Sequence, residues 1–475
     1  MRLSMKRNFL KKSIARGLSV ASVIVATSVG AQADNLADAL VGAYNTSGLL
    51  EQNRALLRAA DEDVALATAT LRPVLNFIMS AQRNDTNAGS NIVPRTFSRR
   101  DTLTAQISAT WLLYDSGGRQ MSRAAAKETV LATRQQLLSV EQSVLLRAVS
   151  AYVNILLQGE NVELRQNNLR LLQEELRAAQ DRFDVGEVTR TDVALAESQV
   201  AAARSNLSTA QGGLVSARAE YLSAVGSEPG TLAGQPRMPA IPASIEQAQA
   251  VAMRTHPDIL AAQHQVAAAE LAIKAAQSDL GPSVSAGADF SYTDDLGSSS
   301  YSEDTSLSLT LNQPIYRGGS LLASVRRAMA TRDASRGNLL NVQRQVLLSV
   351  NDAFVRLRVA RASLSATAEQ VRAAQVAFDG IREEATLGAR TTLDVLSAEQ
   401  ELLDAATARI SARSEESVAA YQLLAAQGLL TAERMQLGVQ IYDPTLYYNL
   451  AKDAPSTLSK QSKDLDRVLK ALGRN

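Results

Sequence analysis

The 475-residue chain has no cysteine, only two histidines and, beyond an N-terminal segment that ends at Gly30, no long apolar run. Without cysteine, the chain has no disulfides and no thiolate for catalysis or metal binding. His256 and His264 are eight residues apart on a helical pattern, so a histidine-based metal site or catalytic triad is not expected. No later run approaches the ~20 apolar residues of a spanning helix. If the mature chain enters a membrane, it must therefore do so as a closed barrel.

The motifs of common enzyme classes are also missing. The glycine pairs at 117–118 and 318–319 are not followed by the Lys-Ser/Thr of a phosphate-binding loop, so we interpret both as strand-to-helix turns. No nucleophile stands in a recognisable arrangement with a base, and no cluster of metal ligands is evident. The sequence thus predicts neither an enzyme nor a cofactor or metal site.

The segment 1–33 has the pattern of an export signal. Six basic residues precede an apolar segment at 17–30. Ala31-Gln32-Ala33 then forms a small-x-small cleavage site. Cleavage would start the mature chain at Asp34 and, by removing six positive charges, change the formal net charge from +1 to −5. No basic patch remains, so a nucleic-acid partner is not expected.

The remaining sequence repeats itself. The segment 185–193, VGEVTRTDV, returns at 387–395 as LGARTTLDV, and in both copies a glycine stands six residues before an aspartate. We predict two structural repeats at 34–226 and 244–428, joined by a linker rich in Pro and Gly at 227–243. A C-terminal segment at 429–475 follows, and we expect its polar end, from residue 452, to be partly mobile.

Each repeat is predicted to contain a helix, two strands, a very long helix, a tight turn and a further helix. The predicted elements are 36–71, 75–82, 104–113, 119–183 and 191–225 in the first repeat, and 244–280, 284–292, 306–312, 321–386 and 391–427 in the second. A helix over 119–183 would be about 98 Å long, whereas globular helices average about 11–12 residues. We therefore predict an α+β chain made mostly of long α-helices packed as coiled coils.

The strand patterns distinguish a membrane protein from a solvated coiled coil. Ala105, Ile107, Ala109, Trp111 and Leu113 alternate with polar residues, and similar alternation occurs at 284–292 and 306–312. Apolar-out, polar-in strands of about 9–11 residues are typical of outer-membrane barrels. Four strands cannot close a barrel, so we expect it to be shared between subunits, with the polar segments 83–100 and 293–303 as exposed hairpin tips.

In the order and spacing of its motifs, the chain resembles the TolC-like outer membrane channel proteins of efflux pumps and type I secretion systems. The resemblance covers essentially the whole mature chain and rests on the duplicated Gly-x5-Asp turns and on these segments: Tyr114…Gly117-Gly118, Tyr316-Arg317-Gly318-Gly319, Thr255-His256-Pro257-Asp258 and Tyr442-Asp443-Pro444-Thr445. It implies a homotrimer in outer-membrane lipid, whose three sets of four strands form a twelve-stranded barrel continuing into a periplasmic α-helical tunnel. It also implies two partners, a periplasmic adaptor and an inner-membrane transporter.

The resemblance further implies a gate at the periplasmic helical tips. Thr191 and Asp192 of the first hairpin, with Arg390 and Asp394 of the second, occupy the gate positions of the family. An Arg–carboxylate contact is a charge-assisted clasp, worth only about 0–1 kcal/mol at a wet surface, although Arg390 and Asp394 also fit an ordinary i,i+4 pair. Three Asp394 carboxylates brought together would favour cations.

Three positions depart from the best-known family pattern, so the closed state is open to a different network. Ser397 replaces an aspartate, Ala385 replaces a tyrosine, and Arg190 adds a charge.

Six residues at the two turns are those that an adaptor would touch according to the same resemblance: Val185, Gly186, Thr189, Leu387, Gly388 and Thr391. Independently of any partner, the two glycines are expected to permit the turns, because glycine accepts positive φ. The alternative function is a periplasmic coiled-coil adaptor or scaffold without a pore, which would need neither the strands nor a ring of carboxylates.

Overall fold

The computed structural model describes residues 34–92, 94–456 and 459–471, so the predicted export signal lies outside the described residues. The elements are α1 Leu36–Thr46, α2 Gly48–Ala69, β1 Val74–Ala88, β2 Thr96–Tyr114, α3 Gly118–Asp184, α4 Arg190–Val225, α5 Ile245–Thr255, α6 Pro257–Ser278, β3 Ser283–Asp295, β4 Tyr301–Asn312, α7 Ser320–Thr386, α8 Thr392–Ala426, α9 Pro444–Ala451 and α10 Lys460–Ala471.

The duplication is visible in the lengths of the elements. Helices α3 and α7 each contain 67 residues and occupy equivalent places in the two repeats. Each is preceded by a glycine in the left-handed region, Gly117 at φ +87° and Gly319 at φ +80°, which confirms the prediction of glycine turns between strand and helix. At 1.5 Å per residue, both helices are about 100 Å long.

Shorter helices lie along each long helix, because a single helix of this length cannot bury its own apolar side. Helices α4, α2 and α1 pack along α3, while α8, α6 and α5 pack along α7; α6 also packs against α3 and so joins the two repeats. The main apolar core surrounds the middle of α3, where Leu145, Val149 and Tyr152 are buried. A second apolar cluster lies around Val350 and Leu357 of α7.

The junction between the shorter helices is built in the same way in both repeats. Thr46 Oγ1 at the end of α1 donates a hydrogen bond to Val225 O at the end of α4, at 2.8 Å. Thr255 Oγ1 at the end of α5 donates to Gln427 O at the end of α8, also at 2.8 Å. Each bond satisfies a carbonyl that the helix end leaves unpaired.

Two predicted helices are each broken once. The prediction of one helix over 36–71 was wrong, because Ser47 ends α1 and its side chain caps α2 by accepting from Leu50 N at 3.3 Å. The predicted helix 244–280 is likewise divided at His256, whose Nδ1 accepts from Asp258 N at 3.3 Å, with Pro257 at the first helical position. Burial lowers the pKa of His256, in keeping with a neutral structural histidine.

The four strands form one antiparallel sheet in the order β1-β2-β3-β4. Their register aligns residues of the same character: Ile107 pairs with both Phe77 and Phe290, whereas Ser108 pairs with Asn76 and Asp289. One face of the sheet is therefore largely apolar and the other largely polar, as the alternation predicted. Among the described residues, the outer edges of β1 and β4 have no partner strand.

The hairpin tips are shorter than predicted. Strand pairing extends to the pair Ala88–Thr96 in the first hairpin and to the pair Asp294–Tyr301 in the second. Most of the supposed loop at 83–100 and part of 293–303 therefore belong to strands. The cause is cross-strand ion pairing, which keeps a polar segment in the ladder. Arg83 Nε lies 2.6 Å from Asp101 Oδ1, and Arg99 Nε lies 2.9 Å from Asp85 Oδ1.

The polar C-terminal part, from residue 452, contains a helix in its described residues, and its partial mobility stays a prediction. Helix α10 packs on α9, and Leu465 is buried beside Tyr447 and Ala451. Leu465, Val468 and Leu469 form an apolar side within a charged sequence. This amphipathic spacing gives the segment a surface to pack with.

One helix in the described part of the chain, α3, contains an 18-residue stretch apolar enough to cross a membrane by composition. This corrects the expectation that no such stretch follows the export signal. However, 56% of the stretch is buried within the chain. Burial of this extent is that of a helix packed inside a protein.

Replacing Gly428 with alanine should destabilise the second helix junction. Gly428 has φ +75°, and an added Cβ would lie 2.7 Å from the Cα of His256. The left-handed conformation alone costs a non-glycine residue about 1–2 kcal/mol. We expect a lower urea midpoint by circular dichroism for Gly428→Ala than for Gly438→Ala, where an added Cβ meets nothing within 4 Å among the described residues. Equal midpoints for the two variants would contradict this.

Candidate gating site at the helical tips

Two helix-turn-helix tips, α3–α4 and α7–α8, share one backbone design. Gly186 and Gly388 lie at φ +83° and +75°, so both glycines accept the positive φ expected of them. The following amides turn back onto the long helix: Glu187 N donates to Arg182 O and Ala389 N to Glu384 O, each at 2.9 Å. This is the pattern of glycine-terminated helices.

A capping box then starts each returning helix. Thr189 and Thr391 are the N-caps, both at φ −89° and ψ 160°. Asp192 Oδ2 accepts from Thr189 N at 2.9 Å, and Asp394 Oδ2 accepts from Thr391 N at 3.0 Å. In both aspartates, hydrogen bonds from the threonine hold the pKa of the carboxyl below its ordinary value. The two predicted gate carboxylates are therefore ionised at neutral pH and already serve their own helix.

Arg390 contacts its own turn. Its Nε lies 2.8 Å from Glu384 Oε2, and this hydrogen bond raises the pKa of the guanidinium. Among the hydrogen bonds and ion pairs of the described residues, none joins Thr191 or Asp192 to Arg390 or Asp394. Within the described part of one chain, the predicted clasp is thus not formed.

A stagger between the hairpins explains this separation. Leu396, close to the start of α8, packs with Leu172 of α3 and Val200 of α4. Val200 lies eight residues beyond Asp192, about 12 Å along the helix. The tip of the second hairpin therefore rests on the flank of the first hairpin and not on its tip. Asp192 and Arg390 stand at different heights as a result.

The outer surface of the tips is apolar and open. The exposed fractions are 72% for Val185 and 85% for Leu387, and Gly186, Thr189, Gly388 and Thr391 are exposed as well. Val185 and Leu387 each place an exposed aliphatic side chain at the end of a hairpin. The six residues that the resemblance assigned to adaptor contact are thus brought together as two exposed turns.

Sequence reasoning missed two polar contacts between the hairpins. Asn168 Nδ2 donates to Glu399 Oε1 at 2.6 Å, and Arg382 Nε lies 3.4 Å from Glu175 Oε1. Both pairs join α3 to the second hairpin. These four residues lie outside the duplicated turns, from which the site residues were predicted. The only sequence feature that could have indicated an inward-facing Glu399 is the apolar residues on either side of it.

The three departures from the family pattern have different surroundings. Ala385 is buried in an apolar cluster with Phe378 and Val395, so the second hairpin closes on itself through hydrophobic contact where a tyrosine was expected. Ser397 and Arg190 are exposed. In the described ranges, no group of three or more His, Asp or Glu side chains is placed to hold a metal ion.

Comparison with known proteins gives the family. The model of the outer membrane efflux protein family matches twice, at residues 43–227 and 250–431, one match in each half of the chain. The chain belongs to the outer membrane efflux protein family. It is 35% identical to the outer membrane efflux protein BepC of Brucella suis over 444 residues, covering 93% of this chain and 96% of BepC.

Other relatives of this efflux protein differ in role and extent. It is 28% identical over 192 residues to the alkaline protease secretion protein AprF of Pseudomonas aeruginosa, covering 40% of this chain and 38% of AprF. Its fold is that of the channel CusC, with a TM-score of 0.75 and 20% identity over 82% of this chain and 91% of CusC. As a family member it is an outer-membrane exit duct whose long helices extend into the periplasm.

Removing the cap of the second tip should loosen the start of α8. In Thr391→Ala, we expect about fivefold faster amide exchange over the first turn of α8, the usual effect of losing a helix N-cap. Thr391→Ser should exchange like the wild type, because it keeps the hydroxyl. The adjacent Thr392→Ala, which keeps the capping box, is the matched control. Equal exchange in Thr391→Ala and Thr392→Ala would show that the cap contributes nothing.

Proposed function

We propose that this efflux family member is a passive, trimeric exit duct serving a tripartite efflux pump or a type I secretion system, without catalytic activity of its own. The observation that carries the proposal is a four-stranded amphipathic sheet joined to two 67-residue helices in one chain. A sheet of this kind suits an outer membrane, and helices about 100 Å long suit a tunnel across the periplasm.

Two features support assembly into a trimer. In the described chain, the outer edges of β1 and β4 carry unpaired backbone groups, which hydrocarbon does not tolerate. Helix α7 also exposes aliphatic side chains along its shaft, with exposed fractions of 55% at Leu348, 62% at Val359 and 67% at Val376. Three copies arranged around an axis would pair the strand edges and cover these helices. A barrel of twelve strands would result.

We further propose that the tips form the gate through contacts between neighbouring chains. Since Asp192 and Arg390 do not meet within the described part of a chain, the clasp would join one subunit's Asp192, with Thr191, to the next subunit's Arg390. Arg390 would then exchange Glu384 for a new partner. Asp394 would face the axis from the start of α8. An adaptor docking on the exposed turns would open this ring, with an inner-membrane transporter supplying the energy.

The gate is tested by single-channel conductance in planar bilayers. We expect small wild-type conductance and a large rise in an Arg390→Ala/Asp192→Ala double variant, because the clasp is lost. The matched control is Arg372→Ala/Glu369→Ala, which removes an exposed pair within α7, where the atoms lie 2.8 Å apart. Pores of unchanged conductance in the first variant would reject the gate residues and keep the duct. No pores from well-folded wild type would favour a periplasmic scaffold.

Docking at the turns is tested separately. We expect a Val185→Asp/Leu387→Asp variant to form pores in bilayers but to lose co-purification with its adaptor, because charged side chains replace the apolar contacts. A Val185→Ile/Leu387→Met variant keeps apolar side chains of similar size and should retain the adaptor. Retention of the adaptor by the aspartate variant would place docking elsewhere on the shaft.

A further inference from the structure

A buried carboxyl group lies between the two hairpins, close to the proposed gate. Glu399 of α8 is only 3% exposed. It follows Leu396 and Ala398, which pack into two different apolar clusters on either side of α8. Glu399 therefore occupies the seam where the second hairpin rests on the first.

The hydrogen bonds of this carboxyl group are incomplete. Oε1 accepts from Asn168 Nδ2 at 2.6 Å, whereas Oε2 is buried and has no hydrogen-bond partner among the described residues. An ionised carboxylate needs partners for both oxygens, and a buried unsatisfied oxygen is costly. In the neutral acid Asn168 satisfies the carbonyl oxygen and the O–H at Oε2 stays unpaired, but an unpaired neutral hydroxyl costs less to bury than an unpaired charge.

The charged groups around Glu399 do not compensate for its burial. Burial raises the pKa of Glu399 to about 7; the Asn168 hydrogen bond lowers it, Glu175 of α3 raises it and Arg382 of α7 lowers it. Arg382 is itself paired with Glu175, at 3.4 Å. Helix α4 contributes the apolar Val200 and Ala203 to the adjoining cluster. The seam is thus built for a carboxyl group that gains and loses a proton near neutrality.

We propose that Glu399 and Asn168 form a proton-controlled latch that holds the second hairpin against the first, and that loss of the Glu399 proton favours opening of the duct. The protonated side chain fits the dry seam, so the hairpins stay packed. The ionised side chain is stable only where water can reach Oε2, which requires the hairpins to separate. The latch rests on the proposed gating function of the tips.

The direction of the pH dependence follows from proton linkage. In the packed seam Glu399 binds its proton up to about pH 7, whereas a solvated glutamate loses it near pH 4.3. The packed state therefore binds more protons between these values, and its stability falls as pH rises through this window. Above pH 7 the fraction of molecules with separated hairpins stops rising, because Glu399 is then ionised in both the packed and the separated state. Opening should thus rise with pH and level off above about 7.

The test is the mean open fraction of the full chain in planar bilayers between pH 5 and 8.5. The limiting slope is about tenfold per pH unit for each Glu399 that loses its proton on opening, so we expect the wild-type open fraction to rise steeply with pH and to reach a plateau above about pH 7. Glu399→Gln, which cannot ionise, should stay closed and lose this rise. The matched control, Glu401→Gln, removes an exposed carboxyl two residues away on α8 and should behave like the wild type.

A second variant separates the latch from a merely structural role. Asn168→Leu removes the donor that favours the ionised form, so the plateau should move to higher pH while a pH-dependent rise remains. A rise that persists unchanged in Glu399→Gln would overturn the latch. The latch would also be overturned if Asn168→Leu changed the size of the open fraction but not the pH at which the plateau begins.

A readout independent of the pore keeps the latch testable if the duct proposal fails. Amide-exchange protection over 395–403 of α8, corrected for the intrinsic effect of pH, should fall between pH 5 and 7 in the wild type. It should stay constant in Glu399→Gln. Protection that does not change with pH in the wild type would reject the latch, whether or not the chain forms pores.

Discussion

The burial of two very long helices is the constraint on which the rest of the structure depends. A 67-residue helix exposes an apolar side that it cannot cover by itself, and a compact core would not span its length. Shorter helices packed along the long helix cover that side. The backbone groups at the ends of these shorter helices then need hydrogen-bond partners within the layer of packed helices. The bonds from Thr46 to Val225 O and from Thr255 to Gln427 O supply such partners in the same way in both halves.

The same arrangement leaves few polar contacts between the two hairpins near their tips. Each returning helix starts with a capping box of a threonine and an aspartate, so the aspartates expected at the gate are engaged in local hydrogen bonds. The hairpins meet instead through aliphatic clusters and a few polar contacts, among them Asn168–Glu399 and Glu175–Arg382. Under the proposed gate and latch, a docking partner or the loss of the Glu399 proton would separate this seam.

The sequence predicted the order of the elements, the duplication and the turn glycines, because these follow from local rules: helical periodicity, strand alternation and the φ of glycine. It misjudged features that depend on distant contacts. The polar segment 83–100 was predicted to be a loop, yet Arg83 pairs with Asp101 across strands. Ser47 indicated a helix interior, yet it caps a second helix. The packing of Leu465 on α9 was not predicted.

By itself the sequence determined that this protein has two similar halves, each with a strand hairpin, a very long helix and a glycine turn followed by a further helix. Each of these follows from local periodicity or from the φ of glycine. Only the tertiary structure decided that the hairpins are staggered, that Asp192 and Arg390 do not meet within the described chain, and that Glu399 is buried against Asn168. The reason is physical: height along a wall of packed helices is fixed by side-chain interlocking between distant segments, and no local pattern records it.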